Sequence, residues 1–224
     1  MRKVTRTECP KSLQDNAATW TKELLDEISK HNNNYAKVDK TFINRYNKPD
    51  VKEALDKMYN HHCCYCESLL GIQTYGRIEH LRPKSNKDFY HLTFDWSNLH
   101  WCCEVCNTSY KKNNWNYDNP ILDPSKDEIS DYLELNLTTG EYIAINNNPR
   151  AETTKLHTGL NREQLVKARQ KLILDIVKRY KSYEDSSKAE EFLKDIIILK
   201  EDYNFPSLKD AVVDYILTYN NRRK

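Results

Sequence analysis

The stretches CCYCE at residues 63–67 and CCEVCN at residues 102–107 decide the fold of this 224-residue chain. Each contains a Cys-x-x-Cys turn, formed by Cys63 with Cys66 and by Cys103 with Cys106. A turn of this spacing lets two thiolates converge on one tetrahedral ion, and four thiolates complete a structural zinc site. The pattern therefore predicts a closed zinc site that clamps two distant segments together without an open position for chemistry.

Two neighbouring cysteines, Cys64 and Cys102, leave the register of this site open, whereas Cys9 stands far from it. A pair of redox motifs or a group of buried structural thiols are the alternatives. A thioredoxin-like motif would need one pair at the start of a helix in a βαβ setting, which neither pair has. The start, MRKV, has no apolar segment typical of a secretory signal, so we expect a cytoplasmic chain whose thiols stay reduced.

The remaining sequence indicates an α+β protein that is mainly helical. With 38% apolar residues, 4 glycines and a net charge of +2, the chain fits one compact unit, and nucleic-acid binding would require a local basic face or a partner. Helical periodicity covers residues 12–31, with Ser12 as a possible N-cap, and resumes from Lys48. Strand patterns cover 74–80 and 96–102. Residues 131–145 indicate a hairpin that turns at Thr139-Gly140.

Three further amphipathic helices are predicted in the C-terminal part, from Asn161, over 187–203 and over 207–219. The first has an apolar face that consists of Leu165, Ala168, Leu172, Ile176 and Tyr180. We therefore divide the chain into an N-terminal helical region (1–62), a zinc-bound core (63–118) and a hairpin with C-terminal helices (119–224).

The zinc clamp should bring an acid, an imidazole and two amides together. Glu79 and His80 end the first strand pattern, Asn98 lies on the second, and Asn107 follows the last cysteine. Hydrolysis of a phosphodiester needs a general base for water and a cation that neutralises the phosphate. His80 can be this base, Glu79 and Asn107 offer oxygen ligands for Mg²⁺ or Mn²⁺, and Asn98 can brace the loop that carries His80.

Several cationic side chains surround these residues and could either contact phosphates or form an ordinary solvated surface. We predict nucleic-acid contacts for four of them, and two more complete the possible rim. The four are Arg82, Lys84, Lys111 and Lys112, and the two are Arg77 and Lys87.

The motifs CCYCE, IEHLRPKS, WSNL and CEVCN resemble the HNH endonucleases, which have a ββα-metal core and a four-cysteine zinc frame. Over residues 60–175 the chain is similar to the PtuB-type nucleases of Septu and retron antiphage systems, through ILDPSKD, TTGEY and RAETTKLHTGLNREQLVKAR. The resemblance implies that His80 is the general base, Asn98 the middle signature residue, Asn107 the third in an Asn-for-His variant, and Glu79 a metal ligand. Family helices often carry a lysine three residues beyond the final Asn, but Tyr110 stands there in this chain.

The resemblance also implies partners and products. It names a PtuA-type ATPase, a nucleic-acid substrate and, for a larger complex, a retron reverse transcriptase with its nucleic acid. The expected function is toxic cleavage of DNA, or of RNA such as tRNA, that leaves 5′ phosphate and 3′ hydroxyl ends. The alternative is a zinc-ordered adaptor that binds the ATPase or nucleic acid without cutting.

Overall fold

The computed structural model of the chain describes residues 1–71 and 75–221. In this part of the chain, helices surround two small antiparallel sheets, as the α+β prediction requires. The helices are α1 (Lys11–Lys30), α2 (Lys40–Ile43), α3 (Pro49–Met58), α4 (Pro149–Thr158), α5 (Glu163–Lys181), α6 (Ser186–Ile198) and α7 (Pro206–Asn221). The strands are β1 (Gly76–His80), β2 (Leu99–Cys103), β3 (Leu133–Leu135) and β4 (Tyr142–Ala144). None of the described helices combines the length and apolarity that crossing a membrane requires.

The N-terminal helices form where periodicity predicts them. Leu24 and Ile28 of α1 are buried, and α3 begins with Pro49, whose fixed φ suits the first turn of a helix. The prediction that Ser12 caps α1 is wrong, because the helix already begins after Pro10. The Ser12 hydroxyl instead donates to Asp50 of α3 at 2.9 Å, so it joins two helices.

The central hairpin pairs β1 with β2 in a register that sets Gly76 opposite Cys103 and His80 opposite Leu99. The second strand was predicted to begin at Trp96, but β2 begins only at Leu99. The Asp95 carboxylate accepts a hydrogen bond from the backbone N–H of Ser97 at 2.8 Å, which stabilises a 3₁₀ turn in place of the first strand residues. Thr74, the first residue of the predicted β1, lies outside the described residues.

Gly76 allows the hairpin to pack against the Trp101 ring. A Cβ atom at this position would lie 2.0 Å from Cε2 of Trp101, a distance that real carbon atoms do not reach. The Trp101 indole N–H donates to Asp56 of α3 at 2.7 Å, so the ring also fixes the hairpin to the N-terminal helices.

The C-terminal part contains the predicted β3–β4 hairpin and one helix that periodicity did not predict. The additional helix, α4, begins after Asn148, whose side-chain oxygen accepts from the N–H groups of Arg150 and Ala151 at 3.0 and 3.2 Å. It ends at Gly159, which adopts a left-handed conformation with φ 59°. Its buried residues are small or hydroxylated: Ala151, Thr153, Thr154 and Thr158.

The predicted apolar face of α5 is partly wrong. Leu165 and Ile176 are buried, but the other buried positions are Arg169 and Ile173. The guanidinium group of Arg169 donates to the carbonyl oxygens of Gly140 at 3.2 Å and Leu160 at 2.9 Å. A buried arginine is tolerated there because backbone carbonyls satisfy its donors.

Contacts of Glu67 connect the N-terminal and C-terminal thirds of the chain. Its carboxylate accepts from the hydroxyl and N–H of Ser207 at 2.6 and 2.9 Å, at the start of α7, and lies 2.8 Å from the Met1 amino group. Burial would raise the pKa of Glu67, but the Met1 ammonium and the Ser207 hydrogen bonds outweigh it and lower this pKa to about 2. The division into three regions stays a prediction, although these contacts join the first residue to the last helix.

Candidate metal centre and active site

The four predicted zinc ligands form one buried cluster of thiols. The sulfur atoms of Cys63, Cys66, Cys103 and Cys106 all lie within 4.8 Å of one another, and those of Cys66 and Cys103 are 3.8 Å apart. Four sulfurs at about 2.3 Å from one zinc ion define a tetrahedron with edges of roughly 3.8 Å. The cluster can therefore hold a metal ion such as zinc.

The alternative register of this site offers fewer ligands. Cys63, Cys64 and Cys102 also lie within 4.8 Å of one another, but they are only three cysteines. Since structural zinc is almost always four-coordinate, the larger set suits this ion better. The backbone N–H of Cys64 donates to the Trp101 carbonyl at 2.8 Å, which connects the first Cys-x-x-Cys turn to β2.

Sequence reasoning missed Arg162, which supports the thiol cluster from the C-terminal part of the chain. Its guanidinium group donates to Sγ of Cys106 at 3.2 Å and lies over the ring of Tyr110, 5.6 Å from its centroid. A positive donor favours the thiolate, which is the form that binds metal. The sequence carries no spacing signal for this contact, because 56 positions separate the two partners.

His80 lies at the end of β1 with 6% of its surface exposed. Its Nε2 atom is 3.0 Å from the Thr93 carbonyl oxygen. Since a carbonyl only accepts, Nε2 carries the hydrogen, and in the neutral ring Nδ1 is the basic atom. Burial, reinforced by the Lys84 ammonium, lowers the pKa of His80 well below its ordinary value, so the ring is neutral. The Tyr46 ring packs edge-to-face on the imidazole with centroids 4.6 Å apart.

Asn98 is buried between β2 and the loop that follows His80. Its side-chain oxygen accepts from the Arg82 N–H at 2.8 Å, and its amide nitrogen donates to the carbonyls of Arg82 at 3.0 Å and Leu92 at 3.2 Å. The Leu81 N–H donates to the Asn98 carbonyl at 3.0 Å. Asn98 therefore holds both ends of this loop, and its part in catalysis stays a prediction.

Glu79 shares a buried ion pair with Lys111. The two side chains have 3% and 0% of their surfaces exposed, and Oε1 of Glu79 lies 3.3 Å from Nζ of Lys111. Nζ also donates to the His80 carbonyl at 3.4 Å, and the Tyr65 hydroxyl donates to Oε1 at 3.4 Å. Burial raises the pKa of Glu79, whereas Lys111 acts in the opposite direction.

Strand alternation turns Glu79 and His80 towards opposite faces of the hairpin, since Glu79 pairs with His100 and His80 with Leu99. Asn107 is half-buried within a π-helical segment, Val105–Lys111. No hydrogen bond between Glu79 and Asn107 occurs among the described residues. The metal site that Glu79 and Asn107 are predicted to share stays a prediction.

The residues of the predicted cationic rim differ in their exposure to solvent. Arg82 and Lys84 are partly exposed, and Lys112 is exposed. Lys111 differs from this expectation, because its ammonium group is enclosed with Glu79 and does not reach the surface. The exposed side chain of Arg77 forms an ion pair with Glu104.

Together, the thiol cluster and the hairpin beside it define a mainly helical α+β chain with four buried cysteines that could hold a metal ion. Two proteins named Septu protein PtuB are similar to this chain. The protein of Bacillus mycoides (strain KBAB4) is 29% identical over 207 residues, which cover 79% of this chain and 70% of that protein. The protein of Bacillus thuringiensis is 33% identical over 112 residues, which cover 48% of this chain and 42% of that protein. No protein-family model matches the chain.

Proposed function

We propose that this chain is a divalent-metal-dependent endonuclease that cuts nucleic acid in bacterial antiphage defence, together with an ATPase partner. The similarity to two Septu PtuB proteins supports the defence role. The observation that carries the nuclease proposal is the orientation of His80. A neutral imidazole, whose Nε2–H is fixed by the Thr93 carbonyl, presents Nδ1 as a base.

In the proposed reaction, Nδ1 of His80 takes the proton of a water molecule that attacks the phosphorus atom. The bond between phosphorus and the 3′ oxygen breaks, and this oxygen leaves with the electron pair and takes a proton from solvent, so that the products carry 5′ phosphate and 3′ hydroxyl ends. The hydrogen bond to Thr93 stabilises the imidazolium that forms, because the carbonyl oxygen accepts from the positively charged ring. Asn98 keeps this geometry by holding the loop that runs from His80 to Thr93.

Glu79 and Asn107 are the residues that would hold Mg²⁺ or Mn²⁺. Their oxygen atoms suit these hard ions, and the Asn107 side-chain amide makes no hydrogen bond with the described residues. When bound, the ion neutralises charge on the phosphate and the leaving oxygen. Glu79 would share its carboxylate with the Lys111 ammonium, which already lies 3.3 Å from Oε1.

Arg82, Lys84 and Lys112 would contact the phosphates that flank the cleavage position. The Lys84 ammonium donates to the Tyr46 hydroxyl, and the Tyr46 ring contacts His80, so this cation lies beside the imidazole. Lys111 would contribute from below the surface, by keeping Glu79 charged. A DNA and an RNA backbone both satisfy such contacts, so the target follows only from mapping the cleaved ends in cells.

A test of the nuclease is incubation of end-labelled DNA and RNA with the purified chain, Mg²⁺ and its ATPase. The proposal expects internal cuts with 5′ phosphate and 3′ hydroxyl ends, and the chain alone should cut more slowly than the complex. Equal rates with and without the ATPase would remove the gating part of the proposal. Absence of any cut in either polymer would contradict the nuclease.

The burial of Glu79 and His80 favours a second candidate, a zinc-ordered adaptor without catalysis. Protection of cells against phage distinguishes the two candidates. If the chain is an adaptor, the His80→Ala variant should still protect cells, because its surface is nearly unchanged. If the chain is a nuclease, the same variant should not protect them.

A further inference from the structure

Three aromatic rings that the proposed reaction does not use form a cluster beside Arg82, one of the predicted phosphate contacts. Phe89 packs edge-to-face on Trp115 with ring centroids 5.3 Å apart, and it stacks on Tyr117 at 5.9 Å with 26° between the rings. The Arg82 guanidinium lies over the Trp115 ring, 5.5 Å from its centroid. We call Phe89, Trp115, Tyr117 and Arg82 the aromatic platform.

Tyr117 is the exposed member of the platform, with 60% of its surface accessible. Its ring is nevertheless held in place, because the hydroxyl accepts from the Asn86 side chain at 2.8 Å and donates to Asp88 at 2.7 Å. Phe89 stacks on the ring, and 60% of the Tyr117 surface nevertheless stays accessible to solvent. A fixed, open aromatic face loses little freedom when a flat ligand stacks on it.

Arg82 connects the platform to the residues of the candidate active site. Arg82 follows His80 by two residues, so their Cα atoms are at most about 7 Å apart. The backbone of Arg82 is fastened to Asn98 by two hydrogen bonds, while its side chain lies on Trp115.

We propose that the platform stacks an unpaired nucleobase of the substrate on Tyr117. This inference rests on the proposed function and narrows its substrate class to nucleic acid with unpaired bases near the cut. A base within a duplex has both faces covered by its neighbours, whereas an unpaired base of DNA or RNA can stack on an aromatic side chain. The cations of Arg82, Lys84 and Lys112 complement the backbone of such a strand, and Asp88 is held by the Tyr117 hydroxyl.

The test measures binding and requires no cleavage. The full-length His80→Ala chain is titrated into a 12-nucleotide single strand that contains 2-aminopurine, as DNA and as RNA, and into the corresponding blunt DNA duplex. We expect tighter binding of the single strands and quenching of 2-aminopurine fluorescence, since stacking quenches it. Tyr117→Leu should weaken single-strand binding about 5- to 150-fold, the range that corresponds to loss of one base–aromatic stack.

Two matched variants separate stacking from a structural role. Tyr117→Phe keeps the ring but loses the hydroxyl hydrogen bonds to Asn86 and Asp88, so it should weaken binding by less than about 5-fold, the lower limit expected for Tyr117→Leu. Tyr215→Leu removes a tyrosine of similar exposure, 57%, on α7 and should change nothing. Thermal unfolding of each variant verifies that it is folded.

Three results would overturn the inference: duplex bound as tightly as single strands, Tyr117→Leu without effect, or Tyr117→Phe as damaging as Tyr117→Leu. If Tyr117→Leu does not fold, the fluorescence of 2-aminopurine with the His80→Ala parent still shows whether a base stacks on the protein. A parent that binds single strands while the wild-type chain never cuts would contradict the nuclease only. If the wild-type chain cuts duplexes and Tyr117→Leu cuts them at the same rate, the result would contradict the platform only.

Discussion

Replacing Lys111 by Met should destabilise the fold strongly, because it leaves the Glu79 carboxylate buried without its partner. The two charges are 3.3 Å apart, which gives about 5 kcal/mol of attraction at an effective dielectric constant of roughly 20. Removal of one member of a buried pair costs about 3 to 5 kcal/mol in other proteins. We therefore expect Lys111→Met to lower the free energy of unfolding by about 3 kcal/mol or more.

Equilibrium unfolding in guanidinium chloride, followed by tryptophan fluorescence, measures this loss. Lys112→Met is the matched control, since its exposed side chain should contribute less than about 0.5 kcal/mol. The double variant Glu79→Gln/Lys111→Met should recover part of the loss, because no charge remains buried. A loss below about 1 kcal/mol for Lys111→Met, equal to that of the control, would refute the buried pair.

Three other perturbations test the parts that support the site. Gly76→Ala should cost about 1 to 3 kcal/mol, because its Cβ would clash with Trp101, and the additional change Trp101→Leu should reduce that cost in the same unfolding assay. Glu67→Gln should lower the free energy of unfolding by about 3 kcal/mol near pH 7, since the pKa of the Glu67 carboxyl is about 2 in the folded chain and has its ordinary value of 4.5 in the unfolded chain. A depressed pKa stabilises above the unfolded value, so this difference should shrink as the pH falls from about 4.5 towards 2, and a constant difference would contradict it. Cys103→Ser should reduce bound zinc from one ion per chain to nearly none in elemental analysis, whereas Cys9→Ser should keep it, and equal zinc in both would exclude the site.

The thiol cluster could be predicted from the sequence because its information is local. A Cys-x-x-Cys turn determines how two sulfurs converge, and two such turns need only a hairpin between them to meet. The start of β2 could not be predicted, since the Asp95 side chain competes for the backbone of Ser97 and replaces strand by turn. The pattern of apolar residues alone contains no information on this side-chain hydrogen bond.

The supporting charges were less accessible to sequence reasoning. Arg169, Arg162 and Lys111 each have a partner far along the chain: the Gly140 carbonyl, the Cys106 thiol and the Glu79 carboxylate. Patterns of polarity assign such residues to the surface, as happened with Lys111. Apolar periodicity does not predict helix α4, because its buried face contains threonines and an alanine instead of large aliphatic residues.

Single-turnover cleavage measures whether the imidazole of His80 activates water in a nuclease. Wild-type chain and His80→Ala are compared with the same ATPase, Mg²⁺ and labelled substrate, after elemental analysis has shown equal zinc in both. We expect a rate about 10²- to 10⁴-fold lower for His80→Ala, the contribution typical of a general base. An unchanged rate would contradict it and assign any hydrolysis to another group.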